Sequence, residues 1–392
     1  MRALRPIVAA LTATSLLAVA ACGDSPSDVA QSSSAATSTS STSAKATSTA
    51  AGPKFCGSDE LAKLSEREKL AQLLVVGVTD AADAKQVVER EHLGGVFIGS
   101  WTDMSMLSDG SVKKLSAAQD IPLMVTVDQE GGRVSRLSKL GIDMPAPRVL
   151  AKTKTPEQVR AMTKAAGLKM KALGITVDFA PSADVSNEAD DEVIGDRSFS
   201  NDPDVVAKYA RAYAQGLQDA GIMPVYKHFP GHGHGSGDSH TGTVRTPPLK
   251  DLISNDLVPY KTLLKYPGNV GVMVGHLIVP GLTGPDTPSS ISPATIGMLR
   301  KGTRYGGVPF DGVVFSDDLS GMKAISDKFP IDVAVRKAIA AGSDVGLWLT
   351  TDKVSEVLDS LEKAVASHKL SSKRVDQSVV RILKAKGVVT CA

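Results

Sequence analysis

The 392-residue chain carries no charge excess of either sign: 44 Lys and Arg stand against 42 Asp and Glu, a formal net charge of +2. That excludes the strong basic surplus on which nucleic-acid binding rests. Cysteine is scarce, with only Cys22, Cys56 and Cys391. Paired cysteines and the His-Glu-x-x-His spacing are both missing, so the usual zinc signatures are absent. No Gly-x-Gly-x-x-Gly follows the first apolar run, which lowers the case for a dinucleotide-binding, doubly wound sheet. What remains is an ordinary globular composition, 42% apolar, enough to bury a large core.

The amino terminus departs from that pattern. Arg2 and Arg5 precede an apolar stretch from Ile7 to Ala21 that ends in small residues. It is too short and wrongly flanked to span a membrane and reads as a secretory signal, residues 1–21. Val19-Ala20-Ala21-Cys22 resembles the bacterial lipobox, which implies lipidation at Cys22; a plain signal with a chance Cys is the alternative. Residues 22–53 are dominated by Ser, Thr and Ala without apolar periodicity, the composition of a disordered tether. A tether of that length reaches roughly 30 Å. Cys56 and Cys391 flank everything that follows. Outside the cytosol they are expected to form a disulfide, with two free thiols as the other outcome.

From residue 54 to 392 short apolar runs alternate with helical patterns. The expected strands are 73–78, 95–98, 123–128, 176–180, 223–229, 271–275, 312–316 and 345–349, most of them continuously apolar, as in parallel sheets buried on both faces. One helix has Thr155 as cap, Pro156 in the first turn and Gln158 three residues on, with Val159, Met162, Ala166, Met170 and Leu173 along one face and Gly174 as its stop. Others are expected from Pro203 to about Gly221 and from Ile331 to Ala341. Eight such alternations predict an α/β fold, a single (β/α)8 TIM-type barrel. Barrel chemistry collects at the carboxyl ends of the strands, and Asp128, Lys227, His228, His276 and Asp317 fall at or just past such ends.

Four of the seven histidines lie in the stretch that opens with Lys227-His228-Phe229-Pro230-Gly231-His232-Gly233, continues through His234 and ends with Asp238-Ser239-His240. By residue type alone this is a metal site, an acid–base pair or an inert Gly-rich loop. The two blocks together resemble the signature of glycoside hydrolase family 3 in its β-N-acetylglucosaminidase branch. Val127-Asp128-Gln129-Glu130-Gly131-Gly132-Arg133-Val134-Ser135-Arg136, Ile194-Gly195-Asp196-Arg197-Ser198-Phe199 and Val313-Val314-Phe315-Ser316-Asp317-Asp318-Leu319 resemble further segments of that family.

The resemblance implies Asp317 as nucleophile, His240 as proton donor and acceptor, and Asp238 as its carboxylate partner. Asp128, Arg136, Arg197, Lys227 and His228 match the residues that grip the sugar. It implies no cofactor and no metal. A histidine suits the role because it titrates near neutral pH and can serve as acid in one step and base in the next. Asp318 should point away from Asp317 in an extended strand. The glycines at 231, 233, 235 and 237 suggest a mobile loop that closes over the sugar. His276 is as readily structural as functional, Glu130 and Arg133 read as loop-shaping, and Trp101 or Trp348 could stack on a sugar.

A single barrel uses up residues 54–392, leaving no room for a second domain with a Glu acid–base. The implied enzyme is a monomeric, lipid-anchored hydrolase at the outer face of the cell membrane, acting on cell-wall glycan or muropeptide fragments. Phosphorolysis is a neighbouring alternative, because a neutral imidazole repels phosphate less than a carboxylate does. A non-catalytic sugar-binding lipoprotein is the alternative from another class.

Overall fold

A computed structural model describes residues 56–266 and 268–391. The expected signal, the lipidation at Cys22 and the tether lie outside the described residues. Eight parallel strands close into a barrel: β1 Leu74–Val78, β2 Gly95–Ile98, β3 Met124–Val127, β4 Val177–Asp178, β5 Met223–Phe229, β6 Gly271–Val274, β7 Val314–Asp318 and β8 Val345–Trp348. Their order around the barrel is sequential, and β8 pairs with β1 through Leu74 opposite Gly346. The fold is a single (β/α)8 barrel. Among the described residues no helix is long and apolar enough to cross a membrane.

The strands are buried on both faces, which is why their sequences run apolar rather than alternate. Phe97 on β2, Phe179 just past β4 and Phe315 on β7 meet across the barrel interior, with ring centroids 5.9 and 5.3 Å apart. Each such buried ring stabilises the fold by about 1.5–3 kcal/mol. The barrel is therefore a packed core, and ligands must use its rims.

The helix Pro156–Ala172 begins with the expected capping box, Thr155 and Gln158 each bonding the other's backbone N–H. Its buried stripe is not the one apolarity suggests. Thr163 and Gly167 are fully buried, whereas Met162 and Ala166 are only half-buried. The reason is close contact with the helix Pro203–Asp219: a Cβ on Gly216 would come within 1.8 Å of Thr163 Oγ1, and one on Gly167 within 2.8 Å of Ala220 Cβ. Small residues set this crossing, and hydrophobicity alone does not reveal it.

Cys56 and Cys391 are joined in a disulfide with Cα atoms 5.7 Å apart, tying together the two ends of the described domain. At the amino end of β8, fully buried Asp344 gathers Arg300, Arg374, Arg381 and Ser378 and accepts the backbone N–H of Val314. This cluster fastens the last helix, Ser372–Ala385, to the sheet.

Candidate active site

The carboxyl ends of β3, β5 and β7 converge on a cavity of about 350 Å³, with the segments after β4 and β5 forming its outer wall. Asp317 lies in its floor. The sequence placed this residue just beyond a strand ending at Ser316; instead β7 continues through Asp318, with every residue buried. An apolar-run criterion stops too early here because the strand ends on two buried carboxylates. The two point apart, as extended backbone requires. Asp317 lines the cavity, and its Oδ1 accepts the N–H of Asp318. The Asp318 carboxylate instead caps the following turn, accepting from Ser320 N, Ser320 Oγ and Gly321 N at 2.8 Å each.

The electrostatics separate the pair further. Burial pushes the Asp317 carboxyl up, but His228, His276, the Asp318 N–H and Lys227 outweigh it and hold Asp317 below its ordinary value. Asp318 is raised, by burial and by the charge of Asp317. Asp317 is thus kept ionised where a nucleophile would need it.

His240 and Asp238 stand in the opposite, more open part of the wall. Asp238 Oδ1 accepts from both His240 Nδ1 at 2.7 Å and the His240 backbone N–H at 2.9 Å. A carboxylate that can only accept fixes Nδ1 as the protonated nitrogen and leaves Nε2 for other partners. Burial would raise Asp238, but its bonds to His240 hold it below the usual range.

Between them Ser239 is buried. Its Oγ shares a 3.1 Å hydrogen bond with His232 Nε2, and its carbonyl accepts the N–H of Ala324, just after β7. The segment is therefore anchored at Ser239 while Asp238 and His240 face outward. Three of its four glycines serve close packing rather than freedom. At Gly233, for example, a Cβ would meet Val185 O at 1.9 Å, whereas at Gly237 nothing lies within 4 Å.

Beneath the cavity a buried ion network sets the remaining side chains. Glu130, with no exposure at all, receives a fork from Arg197 at 2.7 and 2.8 Å and the Lys227 ammonium at 2.7 Å. Lys227 also reaches Asp128 at 2.6 Å. Burial alone would raise Glu130, yet Arg197 and Lys227 hold it far below the carboxylate range. Lys227 in turn is raised despite burial, by Asp128 and Glu130. Arg133 pins the segment after β4 over the site, donating to Asp196 Oδ1 at 2.8 Å and to the carbonyls of Glu192, Val193 and Ile194.

Asp184, which the sequence reading did not single out, organises the histidines. Its Oδ2 accepts His228 Nδ1 at 2.7 Å, and its Oδ1 accepts the backbone N–H of His232 at 2.8 Å and of His228 at 3.2 Å. The only signal was a carboxylate inside the otherwise apolar and small run Phe179-Ala180-Pro181-Ser182-Ala183-Asp184-Val185. The Lys227–His228 and Phe229–Pro230 peptide bonds are both cis.

Asp317, His240, Asp238, Arg197 and His228 line the cavity together, while Asp128 and Lys227 support it from below. Arg136 is half-buried on the hairpin after β3 and is not part of the wall. His276 is structural: it is fully buried, with Nδ1 bonded to Ser290 Oγ and Nε2 to the Asp318 carbonyl, both at 2.7 Å. Trp348 is also core, 1% exposed with its indole N–H on the Asp352 carbonyl, which removes it as a stacking platform. Trp101 is 44% exposed past β2. The histidines of the motif go to separate partners, His234 to Asp256 among them. Among the described residues no three potential metal ligands gather.

An ionised carboxylate and an imidazole–carboxylate pair around a sugar-sized cavity on a barrel rim are groups that glycoside cleavage can use. Residues 65–385 match the model of the glycosyl hydrolase family 3 N-terminal domain, and the chain belongs to glycoside hydrolase family 3. It is 57% identical over 327 residues to the β-hexosaminidase LpqI of Mycobacterium tuberculosis, covering 83% of this chain and 84% of that one. A solved family 3 glycosyl hydrolase of Mycobacterium smegmatis superposes with a TM-score of 0.82 at 56% identity, covering 84% and 99% of the two chains. A family 3 β-N-acetylglucosaminidase from Paenibacillus superposes with a TM-score of 0.75 at 30% identity, covering 83% and 62%.

Proposed function

We propose that the protein is a retaining exo-β-N-acetylglucosaminidase that removes terminal β-linked N-acetylglucosamine from cell-wall glycan or muropeptide fragments. The observation that carries this is one cavity holding an ionised Asp317 and a His240 whose Nδ1 is fixed by Asp238 at 2.7 Å. The names of the mycobacterial and Paenibacillus relatives support the sugar. A cavity of about 350 Å³ suits one sugar residue and the start of its leaving group.

The first step is attack of the Asp317 carboxylate on the anomeric carbon. As the glycosidic bond breaks, His240 gives its Nε2 proton to the departing oxygen, and the sugar becomes an ester of Asp317. In the second step neutral His240 takes a proton from water, the water attacks the same carbon, and Asp317 is released. Asp238 stabilises the imidazolium whenever it forms. Arg197, held by Glu130, donates to sugar hydroxyls, and His228, oriented by Asp184, presents its Nε2 to them, while Lys227 and Asp128 support the site from below. The small, partly closed cavity favours a chain end over the middle of a polymer. The signal and lipobox support export and anchoring through Cys22 at the outer face of the membrane, where wall fragments lie.

The test is a pair of β-N-acetylglucosaminides with good and poor leaving groups. His240→Ala should damage the poor one far more, since only that oxygen needs a proton to leave. Equal damage to both would remove His240 from the donor role.

A further inference from the structure

A second cavity opens at the opposite, amino end of the barrel. Its volume is about 440 Å³, larger than the cavity around Asp317 and within the range of small-molecule sites. Leu123, Met124, Ile222 and Met223, at the starts of β3 and β5, give it an apolar floor. Lys171 and Lys386 line it at the ends of two helices, Pro156–Ala172 and Ser372–Ala385, and among the described residues no Asp or Glu lines it.

Among the described residues the two lysines have neutral partners only. Lys386 Nζ donates to Gln72 Oε1 at 2.7 Å, and Lys171 Nζ to the Gly221 carbonyl at 3.3 Å. An ammonium has three donors, so most of the capacity of half-buried Lys386 is unspent within the protein, while exposed Lys171 turns its remaining donors to solvent. The other cations set into this barrel are treated differently: Lys227, Arg197, Arg300 and Arg374 each meet a buried carboxylate within 4 Å. Lys386, half-buried and without a counter-charge, bears a desolvation cost that an anion would relieve, and the exposed Lys171 lines the same cavity as a second cation.

We propose that this amino-end cavity is a second ligand site, for a small organic carboxylate whose head group faces Lys386 and Lys171 and whose body rests on Met124, Ile222 and Met223. The surroundings agree in sign. Lys384 and Arg381 of the last helix lie in the adjoining groove. Asp311, the acid there, is already held by Arg381 at 2.7 Å. From the β1 side only the Gln72 amide faces Lys386, its own Nε2 occupied by the His92 carbonyl. Desolvation, not balanced by any acid among the described residues, brings Lys386 down to about 7, so before a ligand binds the ammonium is half neutral near that pH. A carboxylate binds the protonated form, so binding takes up a proton and affinity falls about tenfold from pH 6 to pH 8.

The test is calorimetric titration of the full domain with acetate, benzoate, N-acetylalanine and D-glucuronate at pH 6, 7 and 8, with N-acetylalanine amide and inorganic phosphate as controls. At least one carboxylate should bind saturably, one per chain, with proton uptake and the tenfold pH dependence, and the neutral amide should not. Lys386→Met should abolish binding and leave glycosidase activity intact, since Lys386 lies at the far end of the barrel from Asp317. Lys386→Arg should keep binding and lose its pH dependence, which covers the case in which the methionine variant fails to fold. No binding by any carboxylate up to about 50 mM, far above the affinity of a weak small-ligand site, overturns the proposal. So does binding unchanged in both variants, or binding of phosphate alone.

Discussion

Replacing Glu130 with Gln tests how the cations of the buried network, Arg197 and Lys227, are held. Glu130 is completely buried, so no solvent screening discounts its interactions. It accepts three charge-assisted bonds, two from Arg197 and one from Lys227. A glutamine of the same shape keeps one acceptor oxygen but turns its NH2 toward a cation. Losing about two such bonds at about 1.5–3 kcal/mol each gives a destabilisation of about 3–6 kcal/mol, which overlaps the roughly 3–5 kcal/mol of breaking a buried pair.

The pH dependence has a definite sign. Glu130 is lowered on folding, so its contribution is complete above the ordinary carboxylate value and disappears only as pH falls through the depressed one. Lys227 is raised, so its share is complete below the ordinary lysine value and fades only above it. The stability difference between wild type and Glu130→Gln should therefore be flat from about pH 5 to pH 9. Urea unfolding across that window measures it, and KM should rise as Arg197 and Lys227 lose alignment. A difference below about 1 kcal/mol, or one that collapses between pH 7 and pH 5, refutes the reasoning.

Ser239→Ala should loosen the anchor between Asp238 and His240 at a cost of about 1–2 kcal/mol, slowing poor leaving groups about tenfold in kcat and good ones much less; uniform slowing would assign Ser239 to folding alone. Cys56→Ser or Cys391→Ser opens a link across 335 residues and should lower stability by about 2–5 kcal/mol, with activity at 25 °C unchanged; an unaltered melting temperature would mean the bond constrains nothing. Because Asp317 is held below its ordinary value of 3.8, the acid limb of the pH–rate profile should fall below that pH wherever the enzyme survives; a limb near 5 would mean its neighbours do not hold it ionised.

The barrel was legible because parallel strands buried on both faces leave uninterrupted apolar runs, as at 95–98 and 223–229. Reading failed where burial is achieved by something other than large apolar side chains. The end of β7 is made of Asp317 and Asp318, and the helix crossing is made by Thr163, Gly167 and Gly216. Within the site, contiguous motifs singled out Asp317, Asp238, His240, Arg197 and His228, and the fold brings these five to one cavity. Asp184 escaped because its work is to fix other side chains, a role that depends on distances of 2.7 and 2.8 Å across some forty residues of chain. His276 and Trp348 were ambiguous by type, and only their hydrogen bonds place them in the core. The amino-end cavity had no sequence signal, since its lysines come from helix ends 215 positions apart in numbering, from 171 to 386.

The most direct test of the account is to trap the sugar. Incubation with a slowly released fluorinated N-acetylglucosaminide, followed by intact-mass measurement and peptide mapping, should find one sugar per chain on the peptide containing residue 317, fragmenting to Asp317. A label on Asp318, on Asp238 or on no residue, under conditions where turnover of the same compound is detected, would contradict it.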